Sequence, residues 1–233
     1  YTYYDSTGRI LASDLDDDGV DELFCYGKTS SAVFAPRGAS VHEFSSKEMH
    51  LNVFDTVSPW RKDSQRQEKK RSFVDTLCLN SNIFNLKDEI FDFECLGKTK
   101  SEYNFSLEKE QFQITKHYKM TGQNMCLSVS IYNTGEEDIS GYFDTNVYFT
   151  LPGAFAFSYD QKRGPLMGES LKDIRNVRFS DSLRDVVLSF SSTSTFSIME
   201  ENRFQSEVTT LGSEQFYLYT KAVLRFMLDI KKD

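Results

Sequence analysis

The sequence has few of the residues on which common catalytic and metal-binding motifs depend. Its 233 residues include three histidines, four cysteines, four prolines and one tryptophan. The cysteines form no CxxC pair and the histidines do not lie at metal-ligand spacing, which excludes the familiar zinc and redox motifs. Metalloprotease, serine hydrolase, P-loop and dinucleotide-binding signatures are also missing. No catalytic residue is assigned from the sequence.

Long apolar runs and positive charge are scarce as well. No run approaches the roughly 20 apolar residues that span a bilayer, and no signal-peptide pattern opens the sequence. The formal net charge of −8 argues against a nucleic-acid or membrane partner. The basic segment 61–72 has six basic and two acidic residues without an apolar anchor, which is typical of an exposed loop. We expect a soluble, cytoplasmic protein with buried free thiols.

Aromatic residues are abundant, and they alternate with polar ones. The chain contains 20 Phe and 12 Tyr, which suit half-buried strands. Period-two alternation runs through residues 90–95, 112–120 and 125–131, and Gly122-Gln123 between the last two runs indicates a hairpin. The pattern predicts an all-β antiparallel sandwich of more than ten short strands, with few or no helices. We expect a single domain over residues 1–233, cut from a longer protein.

Two loops and one extended run complete the prediction. Residues 133–138 are predicted to form a turn, and the run 142–151 is predicted to be a long strand. Residues 160–176 contain two glycines and a proline in their middle and are predicted to form a loop across one end of the sandwich.

An acidic segment near the start has the spacing of oxygen ligands around a hard cation. Side chains of Asp14, Asp16 and Asp18 can converge, and the Val20 carbonyl and Glu22 carboxylate can close the cage. The segment predicts a calcium site. Its alternative is an ordinary solvated turn, because Asp bonds its own backbone readily.

The order of several short motifs resembles one enzyme family. The motifs are DLDDDGVDEL at 14–23, VFAPRGASVHEF at 33–44, NVFDT at 52–56, SFVD at 72–75, FDTNV at 143–147 and QSE at 205–207. Their sequence along the chain resembles the C-terminal β-sandwich of glycoside hydrolase family 57, the α-amylase and 4-α-glucanotransferase group.

The resemblance implies a supersandwich similar to that of galactose mutarotases, placed after a separate catalytic barrel that carries the reacting carboxylates. It implies a non-catalytic accessory domain that packs on the barrel and helps to shape the α-glucan cleft. One alternative is a carbohydrate-binding module in which Trp60 stacks on a sugar. Another is a mutarotase-like aldose epimerase, in which His42 or His50 would serve as the base.

Overall fold

The described part of the chain forms three antiparallel β-sheets. The structure, a computed structural model, describes residues 10–15, 17–48, 50–54, 70–96, 101–151, 155–160, 162–163, 170–182, 186–209 and 212–232. The strands in chain order are β1 (Ile10–Ser13), β2 (Glu22–Tyr26), β3 (Ser30–Ala35), β4 (Ser40–Ser46), β5 (Leu51–Asn52), β6 (Val74–Leu79), β7 (Asn82–Asn85), β8 (Asp92–Leu96), β9 (Glu102–Glu108), β10 (Phe112–Thr121), β11 (Asn124–Asn133), β12 (Ile139–Phe149), β13 (Phe155–Tyr159), β14 (Lys162–Arg163), β15 (Leu171–Asp181), β16 (Val186–Thr209) and β17 (Gly212–Ile230). Among the described residues, the only helical element is a 3-10 turn, Leu86–Asp88.

The first two sheets follow the order of the chain, and the third does not. Sheet 1 runs β1-β2-β3-β4-β5 and sheet 2 runs β11-β10-β9-β8. Sheet 3 has eight strands in the order β14-β13-β15-β16-β17-β12-β6-β7. The hairpin β6–β7 lies at one end of sheet 3, where β6 pairs with β12, a strand more than 50 residues later in the chain. This pairing runs from Gly141 opposite Leu79 to Asn146 opposite Val74.

Aromatic side chains fill the space between the sheets. The Phe34 ring of sheet 1 lies 5.2, 5.9 and 4.9 Å from the rings of Tyr103, Phe105 and Tyr118 in sheet 2. Phe84 of sheet 3 meets Phe112 of sheet 2 edge to face at 5.0 Å. Tilted and edge-to-face pairs at these distances add to the stabilisation from apolar burial. The apolar residues of the period-two pattern therefore form the inward face of each strand.

The structure confirms the hairpin predicted at Gly122-Gln123, which joins β10 to β11 in sheet 2. Thr121 pairs with Asn124, so Gly122 and Gln123 form a two-residue loop. Gly122 has φ +61°, a left-handed conformation that is open to glycine at the first position of such a turn. The predicted turn at 133–138 lies between β11 and β12, and the predicted long strand corresponds to β12.

Two predictions about the second half of the chain need correction. The strands are not all short, because β16 has 24 residues and β17 has 19. Residues 160–176 are not one loop, since β14 lies within them and β15 begins at Leu171. Register shifts in β15 on both sides of Ile174 disrupt the two-residue period, which hid this part of the strand from sequence analysis.

A buried lysine joins the three sheets. Lys116, on the inward face of β10, is fully buried, and its ammonium lies 2.6 Å from the carboxylate of Asp75 in β6. It also donates to the carbonyls of Gly38, Ala39 and Phe73 at 3.0, 3.1 and 2.7 Å. Desolvation lowers the pKa of Lys116 and raises the pKa of Asp75, and their mutual attraction opposes both shifts. The three carbonyl oxygens accept hydrogen bonds in place of the water that the ammonium loses, and the Asp75 carboxylate supplies the counter-charge.

The three carbonyl groups belong to residues with left-handed backbone. Gly38, Ala39 and Phe73 have φ of +73°, +44° and +61°. A Cβ at Gly38 would lie 3.0 Å from the Lys87 carbonyl, so this position requires glycine for space as well as conformation. Such dihedral angles are costly for Ala and Phe and persist only where the surroundings fix them. The ammonium supplies that constraint.

We predict that Lys116→Met lowers the free energy of unfolding by about 3–5 kcal/mol, because it leaves the Asp75 carboxylate buried without its counter-charge. Adding Asp75→Asn should recover part of this loss, since both charges are then gone. Urea unfolding followed by circular dichroism measures both.

The matched control is Lys119→Met on the same strand, where the side chain is largely exposed beside Glu102. It should cost less than about 1 kcal/mol. If Lys116→Met costs no more than this control, the buried pair does not hold the sheets together.

Candidate functional site

The predicted calcium segment forms a turn whose carboxylates bond the segment's own backbone. The Asp14 carboxylate accepts from the amides of Asp18 and Gly19 at 3.1 and 3.0 Å. Asp18 accepts from the Val20 amide at 2.9 Å, and Glu22 accepts from the Leu15 amide at 2.8 Å. The Asp18–Val20 bond spans two residues, as in an Asx turn, and the other three bonds join more distant parts of the segment.

An arginine neutralises part of this turn. The Arg37 guanidinium donates to Asp18 over 2.6 Å and reaches the Asp88 carbonyl at 3.3 Å. Burial raises the pKa of Asp18, but the bonds from Arg37 and Val20 and the positive charges nearby outweigh it, so the pKa lies below its ordinary value. The turn is thereby tied to the segment that follows β7.

The predicted calcium ligands lie only partly within the described residues. Asp14, Asp18, Val20 and Glu22 lie among them, whereas Asp16 falls outside them. Within the described ranges no group of three or more His, Cys, Asp or Glu side chains is arranged to hold a metal ion. Calcium binding stays a prediction, and so does its alternative, an ordinary solvated turn.

Calcium binding predicts that the thermal midpoint is higher in calcium than in chelator, because a ligand that binds only the folded state stabilises it by mass action. Differential scanning calorimetry with elemental analysis measures this, and Asp18→Asn should abolish the shift. An unchanged midpoint with no bound metal would contradict the prediction.

The structure describes only some of the other residues singled out from the sequence. Trp60 lies outside the described residues, as does most of the basic segment. His50 is exposed, and His117 is half-buried with its Nε2 3.4 Å from Glu102. Cys25 and Cys78 are buried free thiols as predicted, but Cys126 is exposed. Burial raises the pKa of Cys25 to about 12, so its thiol stays protonated.

One histidine and one glutamate do meet inside sheet 1. His42 and Glu22 are both buried, and Nε2 lies 3.9 Å from Oε1. An epimerase would need its acid and base on opposite sides of a sugar ring. Atoms 3.9 Å apart are already in van der Waals contact, so no ring fits between them. This pair is part of the core.

An open cavity of about 530 Å³ lies at the edge of sheet 3. Its described lining consists of Asp160, which follows β13, and three residues of β15, Asp173, Arg175 and Asn176. Asp160 Oδ1 accepts from the amides of Arg175 and Asn176 at 3.2 and 3.0 Å, and its own amide donates to the Asn176 carbonyl. The two walls of the cavity are thus joined by hydrogen bonds.

The bulges in β15 create the polar wall of this cavity. In a regular strand, neighbouring residues point to opposite faces. Here Ile174 and Val177 are buried while Arg175 and Asn176, which are adjacent, are both exposed. Sequence analysis missed these residues because it assigned them to a loop. The only sign in the sequence was the choice of segment ends, Asp160 and Asn176. The structure shows that these two residues are hydrogen-bonded to each other.

The fold is an antiparallel supersandwich of the galactose mutarotase-like kind, and comparison with solved structures agrees. A 4-α-glucanotransferase from Thermococcus litoralis matches with a TM-score of 0.70 at 10% identity, over 97% of this chain. A galactose mutarotase-like protein from Lactobacillus casei matches with 0.61 at 9% identity, covering 91% of this chain and 96% of that one. A galactose mutarotase related enzyme from Lactobacillus acidophilus matches with 0.56 at 10% identity, covering 91% and 100%.

The chain spans 38% of the length of the glucanotransferase. No family model and no curated protein sequence matches it. At these identities the likeness is one of fold. Among the described residues, no helix is both long and apolar enough to cross a membrane.

Proposed function

We propose that this chain is a non-catalytic accessory domain of an α-glucan-processing glycoside hydrolase of family 57, an α-amylase or a 4-α-glucanotransferase. It packs on the catalytic barrel and helps to shape the substrate cleft. The observation that carries the proposal is the match of 97% of this chain to 38% of a 4-α-glucanotransferase, at the highest TM-score of the three structures compared above. The order of sequence motifs along the chain supports the same family.

The roles of three of the five described buried acids also support a non-catalytic chain. Glycoside hydrolysis uses two carboxyl groups that face each other across the scissile bond. Here Asp75 pairs with Lys116, Asp144 with Arg225, and Glu22 bonds the acidic turn. These three acids hold the fold together and are not available to a substrate.

The outer face of sheet 3 is the surface we assign to the barrel. One row across four strands consists of Ile83, Cys78, Tyr142 and Met227. Met227 is 76% exposed and Ile83 is 68% exposed. Exposed apolar side chains that share one face of a sheet favour an interaction surface more than apolar residues scattered singly do.

The centre of this face has the composition of a protein interface. The Arg225 guanidinium lies 4.0 Å from the centre of the Tyr142 ring and makes two 2.7 Å hydrogen bonds with Asp144. Met199, 52% exposed, lies opposite Val223 in a neighbouring row. Tyr, Met and Arg are the residues enriched in interface cores. A rigid arginine flanked by apolar side chains is suited to bind another folded domain.

We predict that Met227 and Met199 react with hydrogen peroxide in the isolated chain and are protected in the natural protein, where the barrel covers them. Mass spectrometry of peptides measures the extent of oxidation. Met120, which is buried in β10, should resist oxidation in both samples. Equal oxidation of Met227 in both would show that this face is not the interface.

The isolated chain is predicted to show no hydrolysis of starch, no transfer between maltooligosaccharides and no acceleration of glucose mutarotation. Reducing-sugar assays, product chromatography and polarimetry measure these activities. Hydrolysis or transfer would place the reacting carboxylates in this chain and overturn the proposal. Faster mutarotation would favour the epimerase, a reading supported by the match to nearly all of the Lactobacillus casei protein.

A further inference from the structure

We propose that the cavity lined by Asp160, Asp173, Arg175 and Asn176 is a binding subsite for a neutral glycan chain. This inference rests on the proposed function, because it names a place where an accessory domain would hold the α-glucan. The site lies at β13 and β15, and β16 separates β15 from β17, the strand that carries Met227.

The hydrogen-bonding groups of the cavity match the hydroxyl groups of a sugar. A guanidinium offers only donors, a carboxylate only acceptors, and a carboxamide offers both. Each sugar hydroxyl donates one hydrogen bond and accepts others, so adjacent hydroxyls need a mixed set of partners. Arg175, Asp173 and Asn176 form such a set on one wall, and all three side chains are exposed.

The backbone of the site is fixed before a ligand binds. Asp160 is bonded to two amides of the opposite wall through one carboxylate oxygen, Oδ1. Asp160 and Asp173 both have left-handed backbone, with φ of +40° and +56°. A preformed wall loses little conformational entropy on binding. The cavity volume of about 530 Å³ also lies within the usual range for small-molecule sites.

The charge of the cavity favours a neutral ligand. The described lining holds two carboxylates and one guanidinium, a formal charge of −1, and the whole chain carries −8, which disfavours phosphate and other anions. The described residues near the cavity contain no third acid, histidine or cysteine placed to complete a metal site. A polyhydroxy compound satisfies the donors and acceptors without adding charge.

Calorimetric titration of the whole chain with maltoheptaose tests the proposal. Arg175→Ala and Asp173→Asn should each weaken binding about ten-fold or more, because each removes or weakens hydrogen bonds to a charged group. Asn tolerates left-handed backbone, so Asp173→Asn leaves the bulge in place. Arg178→Ala is the matched control, since Arg178 is an exposed arginine of the same strand that does not line the cavity.

Selective loss of affinity in Arg175→Ala and Asp173→Asn, with folding intact by circular dichroism, supports the subsite. Equal affinity in all variants overturns it and transfers the search to Trp60, which Trp60→Ala would then test. No binding by the unmodified chain also overturns it. In both cases the accessory role is still decided separately, by the protection of Met227 in the natural protein.

Discussion

The contact between Lys116 and Asp75 is the constraint on which the rest of this structure depends. It places one ammonium where β10, β6 and the turn after β3 meet, so that a single charge group is shared by three sheets. Removing two charges from water is costly, and such a pair stabilises a fold only when further hydrogen bonds surround it. The carbonyls of Gly38, Ala39 and Phe73 meet that condition for the ammonium, and their backbone hydrogen bonds help to hold the unusual backbone angles. The buried ammonium and the residues with left-handed backbone therefore lie at the same place, and each stabilises the other.

The acids that stabilise the fold are different residues from the acids that line the candidate site. Among the described acids, Asp75 pairs with a lysine, Asp144 with an arginine and Glu22 with a backbone amide, so these three acids serve the fold. The groups around the Asp160 cavity face solvent and keep their bonding capacity. Since one fold supports many activities, the likeness to both a glucanotransferase and mutarotase-like proteins says little about reaction chemistry. The local geometry carries that argument.

Sequence patterns predicted the sheets better than the site. The hairpin at Gly122 followed directly from alternation and a turn residue, both of which are local. Lys116 was passed over although it occupies the inward position between Ile114 and Tyr118, because a lysine is seldom buried without a partner, and the partner is in another sheet. The cavity depends on bulges beside Ile174, which break the two-residue period that defines a strand. Contacts between distant segments account for both failures.

The shared lysine also has a kinetic consequence. Its partners Gly38 and Phe73 precede it by 78 and 43 residues, and β12 must pair with both β6 and β17 before sheet 3 is complete. Until those segments meet, the ammonium gains nothing by leaving water. Sheets 1 and 2 are simple meanders that can form early, yet neither can reach its final packing alone. Folding of this chain is therefore expected to be slow and cooperative, with the closing of the three-sheet junction as a late step.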